Sequence, residues 1–169
     1  MQKVDLDRFV EKVFSAKPSG TQIDDLKTFF KTQSKNHDFS ETGAVFRYMD
    51  DLDNKSSALL THVSMLIAAV SIMLTVFENT VGEIFLLLEA AVYVAVATGL
   101  LRCINIVRPG FPPEVNKSAL AAEENTEDYV NAMVEEAGIR LIIYTKARVI
   151  TLYATLAFLA GIVVKLLFG

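Results

Sequence analysis

The sequence predicts an all-α integral membrane protein with three transmembrane helices, N-terminal cytoplasmic helices and a long cytoplasmic helix running into the third span. Three observations predict it. At 169 residues the chain is 52% hydrophobic with a mean hydropathy of +0.38, more apolar than a water-soluble domain of this size. The excess is concentrated in residues 56–77, 84–101 and 149–168. Each run is long enough, at about 1.5 Å per residue, to cross a hydrocarbon layer of roughly 30 Å. Charge within those runs is limited to Glu89 and to Lys165 near the chain end.

The resulting organisation is a helical region at 1–55, a transmembrane hairpin at 56–102 (first span 56–77, second 84–101), a loop and helix at 103–148, and a third span at 149–169. The opening MQKVDLDRFVEKVF is charged from the start and lacks the apolar core of a secretory signal, so the first span is expected to act as the insertion signal. Between the first two spans, residues 78–83 hold two acids and no base. Arg47 and Lys55 precede the first span, and Arg102, Arg108, Arg140, Lys146 and Arg148 lie between the second and third. The positive-inside rule then puts the N-terminus in the cytoplasm and, after three crossings, the C-terminus on the periplasmic side, where Lys165 can snorkel outward.

The extramembrane segments read as helices. Leu6, Phe9, Val10, Val13 and Phe14 form one apolar stripe, ended by the turn residues Lys17-Pro18-Ser19-Gly20. Thr21 is placed to cap a second helix, with Asp24 and Asp25 in its first turn and an apolar stripe of Ile23, Leu26, Phe29 and Phe30. A polar break is expected at 34–38. Ser40 then caps a third helix, whose stripe of Val45, Tyr48, Met49 and Leu52 leads into the first span without a proline. Arg108-Pro109-Gly110-Phe111-Pro112-Pro113 is the clearest stop in the chain. From about Asn125 one helix, striped by Tyr129, Val130, Met133, Val134 and Ala137, continues into the third span, with Gly138 costing roughly 1 kcal/mol of helix propensity relative to Ala.

Small residues indicate how the spans pack. Ala91, Ala95 and Gly99, and likewise Ala157 and Gly161, recur every four positions, the spacing that lets helix backbones approach closely and favours a homo-oligomer. In the first span Thr61, Ser64, Ala68, Ser71 and Thr75 make a continuous small and weakly polar seam. It serves either as hydrogen-bonding glue between helices or as the lining of a water-filled path in an oligomer. The intramembrane polar set is therefore Glu89, His62, Ser64 and Ser71. Glu89 is either protonated and bonded to a hydroxyl such as Ser71, wetted near the interface, or used in ion passage. A His62–Glu89 pair is not expected, because the two differ in depth by something like 10 Å at 1.5 Å per residue.

No enzymatic chemistry is predicted. There is no Gly-rich phosphate loop, HExxH, GxSxG or Cys-His pair, and Cys103 stands alone. His37-Asp38 reads as a polar loop, and Asp50, Asp51 and Asp53 as a solvated helix face rather than a divalent-ion site. Neither a metal nor a cofactor is expected. A net charge of −4 argues against binding a nucleic-acid polymer.

The run Tyr48-Met49-Asp50-Asp51-Leu52-Asp53-Asn54-Lys55-Ser56-Ser57-Ala58-Leu59-Leu60, a second span ending before the Pro-rich break, and a long helix entering the last span through Tyr144-Thr145-Lys146-Ala147 together resemble the Pycsar transmembrane effectors and the related SLATT group. The resemblance covers roughly residue 50 to the C-terminus. It implies a bacterial inner-membrane anti-phage effector in which a cyclic nucleotide or similar signal from a partner enzyme triggers the spans to assemble and breach the membrane. An anionic ligand would need cations, and Arg102, Arg140, Lys146 and Arg148 gather near the inner surface, although lipid headgroups account for bases there equally well. Two other readings stand beside it: a membrane sensor or scaffold that docks a cytoplasmic partner through its N-terminal helices, and a holin-like pore former. A reporter fused after Gly169 should read periplasmic; a cytoplasmic signal would overturn the three-crossing topology.

Overall fold

A computed structural model describes residue 14 and residues 18–37, 40–75, 80–104 and 123–168. The expected first helix, apart from Phe14, and the Pro-rich break lie outside the described residues. Every described element is a helix: α1 Gly20–His37, α2 Glu41–Leu74, α3 Thr80–Cys103 and α4 Glu123–Phe168. Three of them, α2, α3 and α4, are long and apolar enough to cross a membrane.

Local chemistry sets the helix ends. Ser19, not Thr21, caps α1: its backbone N–H donates to Gln22 Oε1 at 3.0 Å, and its Oγ accepts the Gln22 backbone N–H at 3.3 Å. This is the reciprocal capping box that a Ser-x-x-Gln spacing makes possible. The helix also runs through the expected polar break as far as His37, because residues 34–37 contain neither Gly nor Pro and polar residues there cost only a few tenths of a kcal/mol each. Ser40 caps α2 as expected, its Oγ accepting from the Gly43 N–H at 3.1 Å. No break divides α2 or α4. At 34 and 46 residues they extend roughly 50 and 70 Å, well beyond a bilayer core.

The three long helices pack on one another in an up-down-up bundle, and α1 lies across the N-terminal halves of α2 and α4. Contacts at both ends fix the register. Ser56 of α2 meets Cys103 of α3, Cys103 meets the Arg140 backbone of α4, and Phe85 of α3 packs over Gly161 of α4. Thus α3 runs antiparallel to both neighbours. The buried residues follow the seams this predicts: Leu86, Glu89, Tyr93, Val96, Leu100 and Cys103 on α3; Val63 and Val70 on α2; Ile143, Ala147, Thr151, Ala154 and Phe158 on α4. Steps of three, four and seven are those of knobs-into-holes packing. In its most apolar stretch α3 is 39% buried, against 11% for α2 and 17% for α4, so α3 is the central helix and the other two expose most of their surface.

A second core sits beyond this bundle, where Phe30 of α1 meets Ala44, Val45 and Met49 of α2 and Met133, Val134 and Ala137 of α4. Phe29, Phe30 and Tyr48 close it with edge-to-face rings 5.4–6.0 Å apart. The apolar faces of α1 and of the start of α2 are thus satisfied largely within the chain. Two glycines serve as seats for side chains. A methyl at Gly138 would lie 3.3 Å from Leu26 and Pro18, and one at Gly99 would lie 3.0 Å from the Phe14 ring. Gly99 therefore accommodates a ring and not a second helix backbone, and Ala91 and Ala157 of the small-residue repeats are exposed.

Phe14→Ala should destabilise the protein by about 3 kcal/mol, the usual cost of emptying an aromatic site. Gly99→Val removes the same seat, so in denaturant unfolding of the micelle-bound chain the double variant should lose clearly less than the sum of the two single losses.

Candidate functional site

Polar chemistry is concentrated at three places in the bundle. The first is a clamp where the more polar and the apolar parts of the bundle join. Arg140 is only 4% exposed. Its Nη1 donates to both carboxylate oxygens of Asp53, at 2.9 and 3.0 Å, and its Nε to Glu136 Oε1 at 3.1 Å. Beside it the Ser56 hydroxyl donates to Cys103 Sγ at 3.3 Å, and that thiol donates to the Arg140 carbonyl at 3.5 Å. A buried guanidinium is tolerable only when carboxylates neutralise it and accept its protons, and here they come from two helices. Asp53 accordingly departs from the solvated face expected of the three aspartates; Asp50 and Asp51 do lie on that face, with Asp51 holding Lys55 at 2.6 Å.

The second place is a level roughly 9–12 Å further along the bundle, six to eight residues at 1.5 Å each. The register sets His62 of α2 at the level of Lys146 and Arg148 of α4. His62 and Arg148 are exposed and Lys146 is half-buried. The predicted cation cluster is therefore split: Arg140 is enclosed by carboxylates, Arg102 is half-buried at the end of α3, and Lys146 and Arg148 belong to this next level.

Beyond it the two kinds of polar residue within the apolar stretches diverge. Thr61, Ser64, Ala68, Ser71 and Thr75 are all exposed on the outer face of α2. Their hydroxyls turn back on their own helix, Thr61 to the Ser57 carbonyl, Ser64 to Leu60, Ser71 to Ile67 and Thr75 to Ile72, at 2.6–3.0 Å. The seam does not join helices within the chain, and Ser71 is not the partner of Glu89. Glu89 instead lies in the buried stripe of α3, 7% exposed, four residues before the fully buried Tyr93. From register it is about 12 Å above His62, at 1.5 Å per residue, and on the opposite side of α2's packing face. This third place, inside the bundle, is completed by Thr155 and Thr151 on α4, whose hydroxyls donate to the Thr151 and Ala147 carbonyls at 2.8 Å.

Sequence reasoning missed one further feature. A cleft of about 720 Å³ opens between α1, the start of α2 and α4, lined by Lys27, Lys31, Ser40, Thr42 and Asn131 over an apolar floor that includes Phe30. Asp24 and Glu41 also line it. The i,i+4 spacing of Lys27 and Lys31 was visible, but their meeting with the α2 start depends on how α1 folds back. Among the described residues no cluster of His, Cys, Asp or Glu could hold a metal ion.

The chain matches no known protein family, no curated protein and no solved structure. What the fold and these sites define is the class: an all-helical protein with three helices capable of spanning a membrane.

Arg140→Ala leaves the Glu136 and Asp53 carboxylates without their cation and should destabilise the fold by about 2–3 kcal/mol, below the full cost of a broken buried pair because Asp53 is partly exposed. Lys55→Ala, at a pair open to water, should leave the unfolding midpoint unchanged. Thermal unfolding in detergent distinguishes the two.

Proposed function

We propose that this protein is a bacterial inner-membrane effector of the anti-phage type, which assembles with further copies of itself and permeabilises the bilayer when its cytoplasmic part receives a signal. The observation that carries the reading is the outward seam of α2. Thr61, Ser64, Ala68, Ser71 and Thr75 face away from the bundle on a helix otherwise rich in Leu, Ile and Val. Lipid tails gain nothing from small hydroxyl-bearing residues, whereas another helix packs closely against them and water can bond to them. Several α2 helices facing one another would turn these seams toward a shared axis. The resemblance to Pycsar and SLATT effectors points to the same outcome from topology.

In this reading the level of His62, Lys146 and Arg148 is the cytoplasmic headgroup boundary, where snorkelling bases and an imidazole are at home. The clamp at Arg140, the second core and α1 then stand in the cytoplasm, and Gly169 ends on the periplasmic side. Because α2 and α4 pass unbroken from that cytoplasmic part into the membrane, a displacement at one end is carried to the other. An anionic trigger such as a cyclic nucleotide would meet its cations in the Lys27–Lys31 cleft, whose volume suits a small ligand. Arg140, already neutralised by two carboxylates, serves instead as a strut, and a cytoplasmic defence partner is the source of the signal.

Ser64→Leu combined with Ser71→Leu should leave the fold intact, since both hydroxyls bond only their own helix and leucine suits lipid. Cross-linked oligomers in membranes and dye entry into triggered cells should both be lost. Undiminished dye entry in the double variant would refute the role given to this face.

A further inference from the structure

We infer that Glu89, with Tyr93 and Thr155, forms a proton-binding site at the middle of the membrane inside each protomer. The inference needs the three helices to lie in lipid but does not depend on self-assembly or on the effector reading. Counting along α3 at 1.5 Å per residue, Glu89 lies about 11 Å from the level of Arg148 and about 13 Å from the start of the helix at Thr80. Both distances place it near the bilayer centre.

Two buried polar atoms converge there. Glu89 is 7% exposed and Tyr93 fully buried; Glu89 Oε2 has no hydrogen-bond partner among the described residues, and Tyr93 Oη faces the Thr155 hydroxyl without a well-aligned bond to it. They project from one face of α3, four residues apart, toward the stretch of α4 where the Thr155 hydroxyl is already donated to its own helix. The surroundings are otherwise apolar: Leu86, Val96, Val70 and Phe158 are all buried in the same core.

No described charge compensates an ionised carboxylate at this level. On α3 the nearest other acid, Glu83, is exposed at the helix start. The α2 helix brings Val63 and Val70 inward, and its one titratable side chain in the span, His62, faces out near the boundary. On α4 the inward groups are Thr151, Thr155 and Phe158; Tyr153 faces out, and Lys165 lies ten residues beyond Thr155, about 15 Å along the helix. A lone carboxylate in hydrocarbon is far costlier than a carboxylic acid, so Glu89 holds a proton. Its acid O–H can donate to a water molecule whose own O–H the Tyr93 oxygen accepts, and that water is the carrier through which the proton exchanges. Release of the proton puts an unpaired charge at the bundle centre and draws water in, so occupancy of the site governs how dry and closed the protomer stays.

The test is reaction of the full chain, in phosphatidylethanolamine–phosphatidylglycerol vesicles, with dicyclohexylcarbodiimide. This apolar reagent adds a carboxylic acid O–H across its C=N bond, and the resulting O-acylisourea rearranges to a stable N-acylurea with nothing lost. Mass spectrometry should find the adduct on Glu89 at mildly acidic and neutral pH, formed several-fold more slowly in alkaline buffer, and absent when a charged, water-soluble carbodiimide is used. Infrared spectra should show a protonated-carboxyl C=O band that Glu89→Gln removes, and Tyr93→Phe should move the pH at which labelling slows. Labelling is read on the unaltered chain, so it decides the matter even if a variant fails to fold. No adduct on Glu89 at any pH, equal reaction with the water-soluble reagent, or labelling indifferent to pH would overturn the inference.

Discussion

The placement of the polar groups described in this bundle depends on a single register, and the Arg140 clamp anchors one end of it. An apolar three-helix bundle in lipid has little to prevent one helix sliding past another by a turn, because the hydrocarbon outside is as favourable as the side chains inside. A guanidinium on α4 that binds Asp53 of α2 resists sliding, since a shift of one turn would break the pair between the helices and leave the buried cation with only Glu136 of its own helix. Ser56 and Cys103 extend the same constraint to the central helix through Cys103's contact with the Arg140 carbonyl. With that end fixed, the seat of Phe85 over Gly161 follows at the other.

Register then separates two kinds of polarity that composition alone cannot tell apart. Hydroxyls on α2 and hydroxyls on α4 are chemically similar, and both satisfy themselves on the preceding turn. Those of α2 lie outside the protomer, where only a neighbour or water can use them, whereas Thr151 and Thr155 lie inside, beside Glu89 and Tyr93. The water path proposed between copies of the chain and the protonated carboxyl proposed within one would therefore be different structures. They are separated by the packing stripe of α2, Val63 and Val70, which belongs to neither.

Much of this was legible in the sequence because it is local. Hydropathy marked the three helices that are long and apolar enough to span a membrane, the missing prolines gave α2 and α4 their continuity, and Ser40 announced its cap. The buried stripe Leu86, Glu89, Tyr93, Val96, Leu100 and Cys103 could be counted off at steps of three and four, so the inward orientation of Glu89 was implicit in its spacing. What stayed hidden was non-local. Asp53 and Arg140 are 87 positions apart, and nothing in either neighbourhood marks them as partners. Nor does the spacing of Ala91, Ala95 and Gly99 distinguish a groove for a helix from a seat for the Phe14 ring. The capping error at Thr21 was of another kind: Ser19 and Gln22 carried the reciprocal signature, but the adjacent threonine, followed by two aspartates, offered the more familiar one.

The same division bears on how a signal could reach the membrane. The α1 helix touches the bundle at Gly138 through Pro18 and Leu26, two residues before Arg140. A side chain at Gly138 would force this contact apart by a few tenths of an ångström, so the glycine that costs α4 helix propensity is one of the points where the N-terminal region bears on it. Anything that shifts α1 therefore acts next to the clamp that fixes the register. The clamp is one of the contacts that oppose sliding, so a displacement of α1 bears on the register that also places Glu89 and the α2 seam.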